Sequence, residues 1–201
     1  MPDALESGRA AYLRGDGPQA LAQLRPLARK GNAEARYLLG RLYYYGNAGI
    51  AEDHAESARW FARAARQGHA AARYKLGGMY FSGRGVARDD ALAVRWWHCA
   101  AAQGQAESLN NLGALFALGR GVPRDLPMAH ALQTLADEHG DEQAADNLRA
   151  KSAMMREEEL ALAAELARAM RQADGIATVL AERLGTPCRP PTAGPDRAGP
   201  R

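Results

Sequence analysis

The sequence predicts an all-α solenoid of stacked helix pairs. Three observations predict it: a segment that recurs at a fixed interval, apolar positions at helical spacing within each copy, and glycines at the copy boundaries. Gly31, Gly68, Gly104 and Gly140 open successive units at offsets of 37, 36 and 36 residues. Leu39, Leu76, Leu112 and Leu148 align, as do Gly40, Gly77 and Gly113, followed by Tyr43, Tyr80 and Phe116. Gly46, Gly83 and Gly119 come next, then Asp53, Asp89 and Asp125, then Trp60, Trp96 and Leu132, and Ala64, Ala100 and Ala136 close the set. An interval of this size marks an array in which each helix pair buries its apolar face on its neighbours. The one extra residue of the first full copy falls between Gly46 and Asp53, where a loop absorbs it.

Each column has a physical reason, seen most clearly in the copy from Gly68 to Gln103. Ala72, Leu76, Met79 and Tyr80 fall at i, i+4, i+7 and i+8, one stripe of a helix. Gly77 lies beside that stripe and lets the second helix approach. Gly83 and Gly85 follow the last apolar turn, where a helix ends readily in a left-handed conformation. Asp89 is placed to cap the second helix by accepting from its first free amides. Ala93, Trp96, Trp97 and Ala100 form the second stripe.

This pattern resembles the Sel-one-like repeat family, tetratricopeptide-like helical repeats with a slightly longer unit. The residues that carry the resemblance are the Ala-x-x-x-Leu-Gly-x-x-Tyr run of Ala72 to Tyr80, the Gly-x-Gly-Val of Gly83 to Val86, Asp89, Trp96, and Ala100 with Ala101. The resemblance implies a right-handed α-α superhelix that scaffolds protein complexes, without enzymatic activity. Some members are secreted and carry a disulfide in each repeat; Cys99 and Cys188 are too few for that arrangement, and no paired cysteines are expected.

In chain order, residues 1–30 read as a degenerate helix pair that caps the array. Its helices run from Asp3 to Arg14 and from Pro18 to Lys30, with Pro18 in a first turn where its missing amide costs nothing. Residues 31–139 hold three full copies, with first helices near 33–45, 70–82 and 106–118 and second helices near 54–66, 90–102 and 126–138. Residues 140–184 hold a half copy, with Ala144 and Leu148 in their columns, and then a helix over 157–173 whose acidic start suits the helix dipole. That helix is expected to cover the last copy's apolar face, as solenoid ends require; the alternative is a free amphipathic helix for a partner or membrane. Residues 176–184 add a further weak helical turn or two. From 185 to 201 proline and glycine dominate, so this tail is expected to be disordered and its removal to leave melting unchanged.

The formal charge of +3 on 201 residues is mild, and the base is almost all arginine. No segment approaches the ~18 apolar residues of a membrane-spanning helix. The first residues lack the basic start and apolar run of a secretory leader, so cytoplasmic residence is expected, and the Ala- and Arg-rich composition suits a bacterial source. His54, His69, His98, His130 and His139 occupy unrelated columns and pair with no carboxylate at metal or triad spacing. His98 and Cys99 are helix neighbours about 100° apart and do not face each other. Gly83-x-Gly85 and Gly119-x-Gly121 follow no strand and precede no lysine at the phosphate-loop position. No catalytic residue, metal site or cofactor is therefore expected.

The expected partner is a protein or peptide, and the expected state a monomer. In such superhelices the first helix of each pair lines the concave groove. Positions two before, two after and five after the repeat leucine should point into it, which selects Tyr37, Arg41, Tyr44, Tyr74, Phe81 and Asn110 as partner-binding residues. Tyrosines there combine large contact area with a hydroxyl; Tyr37 and Tyr74 could equally pack as core between copies. An alternative class is a nucleic-acid-associated factor using the Arg36/Arg73 and Arg59/Arg95 columns. Those columns hold Leu109 and Ala131 in the third copy, so no continuous basic stripe is expected.

Overall fold

The computed structural model describes residues 3–47, 49–191 and 195, and among these it is all-helical. Eleven helices are described: α1 Ala4–Leu13, α2 Gly17–Arg29, α3 Ala33–Tyr45, α4 His54–Arg66, α5 Ala70–Ser82, α6 Asp90–Ala101, α7 Ala106–Leu118, α8 Leu126–Glu138, α9 Ala144–Ser152, α10 Glu157–Met170 and α11 Gly175–Leu184. They are grouped in two compact units, one ending at Arg88 and the other spanning Asp89–Pro191.

Local chemistry sets the helix starts. Asp16, Asp53, Asp89 and Asp125 each accept from the amide three residues on, capping α2, α4, α6 and α8. Asn32, His69 and Gln105 do the same for α3, α5 and α7. The second helix of every pair thus begins on aspartate, a column visible in the sequence. The first-helix caps vary and were not.

In the N-terminal unit α1 packs on α2, α2 on α3, α3 on α4 and α4 on α5. Leu24, Leu38, Leu39, Leu42 and Trp60 form its buried centre together with small alanines. A Cβ on Gly40 would stand 2.5 Å from the Phe61 ring, so the repeat glycine beside the leucine column is where α4 presses onto α3. Ser57 seals the same crossing by donating to the Gly40 carbonyl at 2.8 Å.

In the C-terminal unit α6 packs on α7, α7 on α8 and α8 on α9. Trp96, Leu109, Leu112, Leu115, Phe116, Met128 and Leu132 are buried there. The chain then turns back: α10 lies on α8, and α11 lies on α10 and on α6. Three attachments mark the return path. Arg171 pairs with Glu138, the Arg183 guanidinium meets the Asp125 carboxylate at 3.1 Å, and Cys188 is bonded to Cys99.

That bond corrects the expectation that the cysteines stay apart. Cys99 is fully buried on α6, and the segment after α11 reaches it because the returning helix delivers it there. A composition dominated by proline and glycine gives no hint of this, since the anchor is one residue and covalent. The expected disorder of 185–201 therefore does not describe Cys188 and its neighbours, and 192–194 and 196–201 lie outside the described residues.

Candidate partner-binding face

Five of the six groove candidates, Tyr37, Arg41, Tyr44, Tyr74 and Phe81, lie in the N-terminal unit, on α3 and α5. Arg41 projects from the third turn of α3 beside aromatic rings from two helices. Its guanidinium carbon is 5.1 Å from the centre of the Tyr12 ring on α1, and 5.9 Å from those of Tyr37 and Tyr45. On α5, the Lys75 ammonium is 5.6 Å from the Tyr45 ring and 5.4 Å from the Tyr74 ring, and it donates to the Tyr45 hydroxyl at 2.9 Å. Cations at these distances are attracted to the negative faces of the rings. Successive first helices thus carry an alternating row: Tyr12, Arg41, Tyr45, Lys75, Tyr74.

Tyr37 fills the space between pairs. It stacks on His69 at 4.5 Å and lies 5.8 Å from Phe61, and burial raises its hydroxyl pKa above the ordinary tyrosine value. Tyr44 points sideways from the row, its ring edge-on to Tyr45 at 4.8 Å and 5.2 Å from His54. Its hydroxyl accepts from Arg84 at 2.9 Å. Phe81 is half-buried near the end of α5.

Asn110 is turned inward. It is 5% exposed, donates to Asp141 at 3.0 Å, and accepts from Gln133 at 3.2 Å and from Asn147 at 3.0 Å. These contacts tie α7 to α8 and α9, so the residue is a structural node of the C-terminal unit. Counting from the repeat leucine cannot reveal this, because its partners arrive from later helices.

The count also misses Tyr12, Tyr45 and Lys75. Tyr45 is 49% exposed and stands one residue beyond the position chosen. The interval of four from Arg41 to Tyr45, against three to Tyr44, was the available signal: four residues return to the same side of a helix. Tyr12 belongs to the degenerate pair and shares no column, so nothing in the repeat pointed to it.

The arginine columns do other work. Arg36 donates to the Ala28 carbonyl at 2.9 Å and to Gln67 at 2.7 Å, and Arg73 donates to the Ala65 carbonyl at 3.1 Å. Each clasps the carboxyl end of the preceding helix, where the unsatisfied carbonyls and the dipole favour a cation. Arg59 forms an ion pair with Glu56 at 2.9 Å. Among the described residues no helix is long and apolar enough to cross a membrane.

A family model described as the Sel1 repeat matches residues 33–69, 70–105 and 106–136. A Sel1 repeat protein from Oxalobacter formigenes resembles the structure with a TM-score of 0.68 at 31% identity, covering 73% of this chain and 59% of that one. A protective antigen of uropathogenic Escherichia coli strains displaying an SLR fold gives a TM-score of 0.70 at 22% identity, over 89% of this chain and 45% of the other, a likeness of fold alone. Over 51 residues the chain is 39% identical to an ERAD-associated E3 ubiquitin-protein ligase component of Arabidopsis thaliana, covering 25% of this chain and 8% of that protein. The chain therefore spans 59% or less of the length of each of these relatives.

Proposed function

The chain belongs to the Sel1 repeat family, whose members are generally protein-interaction scaffolds, and on that premise we propose that it is a non-enzymatic scaffold or regulator. It engages a peptide or partner domain on the first-helix face of its N-terminal unit. One observation supports this: the row of tyrosines and cations on α1, α3 and α5, with Tyr45 half in solvent. Tyrosine and arginine are among the residue types that anchor protein interfaces: tyrosine buries large area at small entropic cost, and both keep donors for recognition. Tyr37 and Tyr44 buttress the row, and Asn110 is not part of it. The nucleic-acid reading loses its Arg36/Arg73 column, since both guanidinium groups are engaged by backbone carbonyls.

The test is affinity purification from the native host with the wild type beside a Tyr45→Ala/Tyr74→Ala variant, read by mass spectrometry. A protein recovered with the wild type and lost with a variant of unchanged melting temperature supports the reading. Equal recovery moves the site off this face.

A further inference from the structure

Charge on the first-helix face of the N-terminal unit is not balanced. The acid of α3, Glu34, is engaged on both oxygens, by Arg9 at 2.9 Å and by His69 at 2.9 Å. Among the described residues Arg41, Lys75 and Arg84 have no carboxylate partner. Arg41 has ring contacts but no hydrogen bond, and its Nε is buried without an acceptor. Lys75 and Arg84 each donate only to a tyrosine hydroxyl.

A ring face orients a cation but leaves its N–H groups unused, and a guanidinium has five of them. A tyrosine hydroxyl that accepts from Lys75 or Arg84 retains its own proton to donate. The row is therefore rich in donors, and its cations meet no carboxylate among the described residues. Carboxylates suit it, since charge-assisted bonds to Arg and Lys are among the stronger ones available at a protein surface. The hydrogen bond from Lys75 to Tyr45, with the nearby tyrosines, outweighs burial and holds the lysine pKa above its ordinary value, so the ammonium stays charged.

We infer that this face binds an acidic peptide segment, its Asp or Glu carboxylates received by Arg41 and Lys75 with the tyrosine hydroxyls as further donors. The inference rests on the protein-binding reading above and names the partner's chemistry. Nucleic acid is the poorer fit. Single strands need open aromatic faces for stacking, whereas here the faces of Tyr12, Tyr45 and Tyr74 already hold Arg41 and Lys75.

Selection of a random peptide display library on the full chain tests it, with Arg41→Gln/Lys75→Gln and Tyr45→Ala/Tyr74→Ala run in parallel after their melting temperatures are matched to wild type. The expected result is enrichment of Asp- and Glu-rich peptides that lose at least ~10-fold in affinity on the charge variant and weaken as salt rises. Enriched peptides that are neutral or basic yet lost on the tyrosine variant would overturn the acidic assignment and leave the face standing. Peptides bound equally by wild type and both variants, or no enrichment at all, would overturn the face as well. A dT oligonucleotide that displaces the selected peptides and binds more tightly than they do would assign the row to nucleic acid instead.

Discussion

Gly85 lies against the main chain of His54: a Cβ built on Gly85 would stand 2.2 Å from the His54 carbonyl oxygen. The main-chain contact recurs with Gly121 on the Asp90 carbonyl at 2.7 Å in the other unit, and Gly49 lies correspondingly on the Pro18 ring at 2.9 Å. In each case the loop that leaves a first helix lands on the start of the preceding second helix. The degenerate first pair takes part, so it is joined to its neighbour in the same way as the full copies.

Gly85→Ala should destabilise the protein by about 2 kcal/mol or more, because its φ of +72° is unfavourable for any side chain and its Cβ meets backbone that cannot yield. Gly78→Ala is the counter-experiment. Nothing lies within 4 Å of that Cβ and the site is in mid-helix, so a gain of about 0.5–1 kcal/mol is expected. Urea denaturation of both variants checks the pair of signs.

Asn110→Ala should cost about 2–3 kcal/mol, although the residue carries no apolar bulk. Removing it takes a donor from the buried Asp141 carboxylate and the shared acceptor from Gln133 and Asn147. A loss below about 0.5 kcal/mol in urea denaturation would show that the network is not holding α7 to α8 and α9.

The composition of residues 185–201 predicts that their removal is neutral, whereas the bond from Cys188 to Cys99 predicts a loss. Truncation deletes Cys188 and opens the covalent loop of 89 residues closed on Cys99. Chain-entropy arguments put such a closure at about 4.6 kcal/mol. Cys188→Ser, the truncation and reduction with dithiothreitol should therefore lower the melting temperature together. Disulfides persist in oxidising compartments and are rare in the cytosol. Thiol titration of protein taken directly from the host accordingly tests the cytoplasmic expectation: two blocked cysteines would contradict it.

His98 gives the C-terminal unit a dependence on pH. It is 2% exposed, its Nε2 has no hydrogen-bond partner, and burial lowers its pKa from 6.5 to about 4. The folded state keeps the ring neutral while the unfolded chain protonates it. Stability should then be full above 6.5, fall as pH drops from there to about 4, and level off below. His98→Leu should flatten that part of the profile, read as melting temperature against pH; parallel profiles would rule His98 out as the source.

What could be read from the chain followed its periodicity. The bounds of α3, α5, α7 and the second helices were legible because Leu39, Leu76 and Leu112 and the capping Asp53, Asp89 and Asp125 repeat in register. Of the candidate face, Arg41 and Tyr74 were legible as columns. Tyr12 and Lys75 were not, since one lies outside the repeat and the other occupies a column that holds the buried Leu38 in the preceding copy. The path of α10 and α11 was illegible for a different reason. An amphipathic helix states that it must cover something, and only Arg183, Asp125 and the two cysteines, dispersed in sequence, decide what.

The closure between Cys99 and Cys188 also has a mechanical meaning. Tension applied at the chain ends passes through the bond and bypasses the 89-residue loop that contains α7 to α11. Stretched in an optical trap, the oxidised protein should release a contour shorter than the reduced one by about 30 nm, at roughly 3.6 Å for each sequestered residue. More than half of the second unit would then be shielded from any pulling force, such as that of a translocating or degrading machine, until the bond is reduced.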